Sequence, residues 1–107
     1  MIYLSVPQYT TPTFTLTFNE PQLDLTQAKN VYVTFKAPGD SVLTKSGSAL
    51  SVTAKTIDVY LTQEETGKFK PGSVEIQANW IDANGGRAAS TIVTTTISEQ
   101  LLKKVIS

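Results

Sequence analysis

The chain contains no His and no Cys, which leaves carboxylates, amides, hydroxyls and lysine amines as the side chains able to do chemistry. That removes Ser-His and Cys-His dyads, disulfides, and nearly every zinc, copper or haem site. Four acidic residues, Asp40, Asp58, Glu75 and Asp82, are the remaining candidates for acid and base roles. A hydrolase would need two of them to converge in a pocket at the carboxyl separations that glycosidases use. Glu64 and Glu65 are adjacent carboxylates, but at the start of a helical turn they are explained by the helix dipole and the cap. Asp82-Ala83-Asn84-Gly85-Gly86 begins like a calcium loop, yet it lacks the third oxygen ligand at the right step and the distal bidentate Glu. It reads as a hairpin turn. No G-x-x-x-x-G-K or G-x-G-x-x-G occurs, so no phosphate cradle is expected. The expectation is a chain without catalytic residues, metal or cofactor, and without a small-molecule substrate.

Charge narrows the partners. Nine Lys and Arg balance nine Asp and Glu, which removes the electrostatic footprint of a nucleic-acid binder or a polybasic membrane anchor. Met1 to Pro7 carries no positive n-region and no long apolar run, so neither a signal peptide nor a membrane span is expected. The chain is expected to be made in a cytoplasm.

Any surface must be positioned by strands. The 107 residues suit one domain, 1–107, with a single core. Thr, Val and Ile together fill 32 positions, a β-branched bias that favours pleated surfaces. Thr13-Phe14-Thr15-Leu16-Thr17-Phe18 alternates without a fault, apolar in and threonine out. The same period places Val31, Val33 and Phe35 on one face, then Ile57, Val59 and Leu61, then Val74, Ile76, Ala78 and Trp80. Strands are expected near 2–6, 13–18, 30–36, 41–45, 50–53, 56–61, 73–81 and 87–98. Ala37-Pro38-Gly39-Asp40 and Asp82–Gly86 supply tight turns. Two links are different: Asp24 with Gln27, and Thr62 with Glu65, have capping-box spacing, and each should hold one helical turn. They fall where an immunoglobulin-like Greek key crosses between sheets. The expected fold is therefore all-β, an immunoglobulin-like two-sheet sandwich of seven or eight strands with single helical turns at those two links. An OB-type barrel is the alternative.

Function then rests on surfaces. Trp80 is in phase with core residues and is expected inside. Tyr32, Tyr60 and Ile81 are out of phase and point outward; outer-face aromatics that cluster would form a protein-binding patch. In the closing segment 99–107, Leu101, Leu102, Val105 and Ile106 share one side of a short helix if one forms. That segment either packs back on its own sandwich or docks on a neighbouring subunit. Tyr32, Tyr60, Ile81, Leu102 and Val105 are the candidate interface.

Several segments resemble small proteins and N-terminal domains of tailed phages and of prophages of Gram-positive bacteria, including the immunoglobulin-like N-terminal domain of baseplate upper proteins. The likeness runs through Thr13-Phe14-Thr15-Leu16, Leu25, Asn30 to Phe35 and Leu43-Thr44-Lys45-Ser46-Gly47. It continues in Leu61 to Thr66, Phe69 with Pro71-Gly72, Val74-Glu75-Ile76-Gln77 with Asn79-Trp80, Gly86 to Ser90, and Leu101-Leu102. It implies a structural component of the virion, in the tail, baseplate or a connector, whose partners are other virion or assembly proteins or a second copy of itself. It implies no catalytic residue. A carbohydrate-binding or adhesion module of the same fold is the alternative.

Overall fold

Alternating sequence becomes two sheets with threonine-rich outer faces in the computed structural model, which describes residues 5–107. The strands are β1 (Val6–Pro7), β2 (Thr13–Thr17), β3 (Asn30–Ala37), β4 (Ser41–Ser46), β5 (Leu50–Val52), β6 (Thr56–Tyr60), β7 (Gly72–Ile81), β8 (Arg87–Ala89) and β9 (Val93–Ser98). The larger sheet has the order β1-β9-β7-β3-β4, with β8 also on β7, and the smaller has β2-β6-β5. This is the strand order of an immunoglobulin-type sandwich. All neighbours are antiparallel except β1 and β9. Of the strand expected near 2–6, Ile2 and Leu4 lie outside the described residues.

The inward sets close one core. Val33 and Phe35 meet Ile57, Val59 and Leu61 of the other layer, with Val74, Ile76, Ala78, Trp80 and Ile97 filling the rest. Ring contacts set the layers against each other: Phe14 lies 5.6 Å from Phe35, and Phe18 meets Trp80 edge-on at 5.6 Å. β2 therefore lies over β3 and β7, and the larger sheet runs on past it through β9 and β1. Trp80 is in the core, 7 % exposed.

The links follow their sequence signals with one difference. Thr62 caps α1 (Gln63–Gly67): its hydroxyl accepts from Glu65 N–H while the Glu65 carboxylate accepts from Thr62 N–H, a complete capping box. In the first link a 3-10 turn forms over Leu25–Gln27, and the Asp24 carboxylate accepts from Thr26 N–H, while Gln27 N–H donates to the Asp24 backbone carbonyl. The tighter 3-10 winding brings Thr26 N–H, not that of Gln27, under the carboxylate. Pro38 and Gly39, the latter at φ +80°, turn β3 into β4.

Two expectations change. Residues 87–98 are not one strand. Asn79 faces Ala89, but three residues back along β7 Ile76 faces Val93, four residues on, so one extra residue is inserted as a β-bulge. Ser90 builds it: its N–H donates to Ala78 O, and its hydroxyl accepts from Ala78 N–H, both at 2.9 Å. The extra residue changes the phase, so Ile97 enters the core while Ile92 lies outside. This split raises the strand number to nine. Second, residues 99–107 contain no helix. A single turn with no tertiary face to bury cannot offset its nucleation cost, and the segment runs irregularly instead.

Candidate protein-binding surface

The outer face of the larger sheet is built from the alternate residues of β3, β7, β4 and β8. Register places Tyr32 between Asn79 and Ser46, with Asn79 followed by Ala89. The neighbouring row is Thr44, Thr34 and Gln77, and Ile81 stands between Asn30 and Arg87. Some of the polar side chains here are hydrogen-bonded. Thr34 and Thr44 hydroxyls lie 3.1 Å apart, Gln77 donates to Ser90 O at 2.9 Å, and the Arg87 guanidinium donates to Asn79 Oδ1 at 3.2 Å.

Tyr32 is 40 % exposed and stands beside half-buried Ile81. With Thr34, Thr44, Asn79 and Arg87 it lines a shallow depression of about 330 Å³. It also walls a second, about 460 Å³, between the Leu25–Gln27 turn and the Gly47–Val52 stretch. An aromatic ring, an aliphatic side chain and the chain's single arginine thus converge on one patch. Those residue types anchor protein interfaces.

The five candidate residues fall in three places. Tyr32 and Ile81 share the patch. Tyr60, 49 % exposed, faces outward from the smaller sheet opposite Thr13, so the two tyrosines stand on opposite sides of the sandwich and do not cluster. Strand phase gives the direction of each side chain but not the sheet it belongs to. Leu102 and Val105 are exposed in the closing segment. That segment is held to its own domain through Gln63, whose amide donates to Ile106 O at 2.8 Å and accepts from Ile106 N–H at 2.9 Å.

The four carboxylates do not come together as an acid and base pair. Asp58 accepts from the Thr15 hydroxyl at 2.6 Å on the outside of the smaller sheet, and Glu75 points out from the larger one. Asp40 sits in the β3–β4 turn at φ +60°. Asp82 accepts from Asn84 N–H and Gly86 N–H, at 2.9 and 2.8 Å, so its carboxylate braces its own turn. No group of three acidic residues suited to a metal ion occurs among the described residues.

Arg87 and Asn79 were not legible as site residues in the sequence. Their pairing depends on the register of a hairpin, which the Asp82–Gly86 turn length sets. No protein-family model matches the chain, and no curated protein matches it.

Proposed function

We propose that this chain is a non-enzymatic structural protein of a phage or prophage particle, binding another virion protein through the Tyr32, Ile81 and Arg87 patch. The observation that carries the reading is the position of Tyr32: a ring left 40 % exposed beside Ile81 and the Arg87–Asn79 pair on the outer face of the larger sheet. Tyr buries large area at low entropic cost, and Arg adds a fork of donors at the rim. Balanced charge fits a protein partner better than a phosphate polymer. The phage setting rests on the likeness of the β2, β3, α1 and β7 segments to baseplate domains. Mass spectrometry of purified particles from a host carrying the gene tests it. The chain should be a regular component, and its consistent absence would remove the virion role.

A carbohydrate-binding module is the second reading, supported by the Tyr32 ring standing beside Asn79 and Arg87. It is weaker because Tyr60, the other outward ring, is on the opposite sheet. A glycan array without signal removes it.

A further inference from the structure

Among the described residues β1, β4, β2 and β5 end the two sheets and the three-residue β8 leaves a further edge beside β7; all but β2 are guarded against pairing with another chain. β4 carries the inward-pointing Lys45, bonded to Glu65; β1 is two residues long and ends in Pro7; β5 has three residues. Inward charge, proline and shortness are the devices by which sheet edges avoid association. β2 has five residues, with no Lys, Pro or bulge. Leu61 N–H donates to Pro12 O and Phe18 N–H to Lys55 O, so alternate residues 12, 14, 16 and 18 bond toward β6. The N–H and C=O groups of Thr13, Thr15 and Thr17 therefore face away, with no backbone partner among the described residues.

Beside this edge lies a cleft of about 530 Å³, lined by Leu16, Phe18 and Glu20 from one side and Ser90, Thr91 and Val93 from the other. Its floor is the larger sheet, which extends past β2.

The chain also carries a segment in search of cover. Leu101 is 95 % exposed, and Leu102, Val105 and Ile106 are about half exposed. Leu101 to Val105 make no backbone–backbone hydrogen bond among the described residues. Six extended residues span about 20 Å, against about 17 Å for five-residue β2. Lys104 brings a positive charge with no ion pair among the described residues, and Glu20 stands at the cleft. The segment lies away from its own cleft: β9 starts there at Val93 and runs away from it to Ser98, and Gln63 then holds Ile106 at α1.

We propose that the β2 edge receives Leu101–Ile106 from a second copy of the chain, as an added strand bonded to Thr13, Thr15 and Thr17. The inference is independent of the Tyr32 patch. Each copy then gives a strand to one neighbour and takes one from another, a head-to-tail contact that generates rings or filaments.

Two full-length variants test it by sedimentation. Thr15→Pro removes an N–H that points away from β6, to the edge without a partner among the described residues, disabling reception while keeping the segment. Leu102→Asp with Val105→Asp disables the segment at exposed positions while keeping the edge. The unmodified chain should exceed the 11.6 kDa of one copy as concentration rises into the high micromolar range. Each variant alone should stay monomeric, and their mixture should double in mass by forming one heterodimer. Thr17→Pro replaces Thr15→Pro if circular dichroism shows that the latter does not fold. An unmodified chain that stays monomeric throughout, as it would if its own N-terminal residues covered the edge, or a mixture that gains no mass, overturns the proposal.

Discussion

The Lys45 ammonium donates to both carboxylate oxygens of Glu65, at 2.7 and 2.8 Å, and so ties the edge of the larger sheet to the helix that follows the smaller one. Lys45 is opposite Val33 and points inward, a position that strand phase reserves for apolar residues. Glu65 compensates, and the same carboxylate completes the cap of α1 by accepting from Thr62 N–H at 2.9 Å. Side chains 14 and 21 % exposed leave the pair only partly screened. Lys45→Ala should cost roughly 1–2 kcal/mol, less than a fully buried pair, read as a lower urea midpoint with unchanged slope.

The pair also sets an acid limit. Burial pushes the Glu65 carboxyl up, but the hydrogen bonds from Lys45 and Thr62 N–H and the Lys45 charge more than offset it, and the group lies below the ordinary glutamate value. A depressed folded pKa adds stability that is complete above the unfolded value, about 4.3, and is lost as pH falls through the folded one. Glu65→Gln should therefore be less stable than the unmodified chain near neutrality and converge with it in acid. Urea midpoints across that range check it; a constant difference at all pH values contradicts it.

Gly67 is needed for space and not for an unusual φ. A Cβ built on it would lie 2.3 Å from the Tyr9 ring, which crosses the end of α1. Gly67→Ala should destabilise by about 1–3 kcal/mol as the ring is displaced. In a Tyr9→Ala background the same change should be nearly neutral, a coupling that a double-mutant cycle measures.

Ser90→Ala tests the bulge. It leaves the N–H of fully buried Ala78 without its acceptor, at a cost of about 1–3 kcal/mol. Hydrogen exchange at Ala78 should accelerate by more than the global loss of stability explains.

Much of the sandwich could be read from its residues, and the misses share a cause. Thr13 to Thr17, Val33 with Phe35, and Val74 to Trp80 declare their faces because period 2 is local. Thr62 with Glu65 declares its cap for the same reason. The bulge at Ser90 could not be read that way, because one inserted residue is visible only against the strand it pairs with. The same limit hid the Arg87–Asn79 contact and the opposite placement of Tyr32 and Tyr60. For Leu101 to Ile106 the spacing of apolar residues suggested a helical face, but nothing packs against that face to support a helix.

Incorporation of a patch variant into particles tests the central claim most directly. The double change Tyr32→Ala with Arg87→Ala alters two outward side chains and should leave the chain folded with its melting temperature lowered by only a few degrees, and the control Ser51→Ala on the smaller sheet should match the unmodified chain. Quantitative mass spectrometry of purified particles should then find the double variant depleted about tenfold or more, as loss of interface anchors predicts, with the control at the normal level. Equal incorporation of the double variant, or particles that lack even the unmodified chain, would contradict the account.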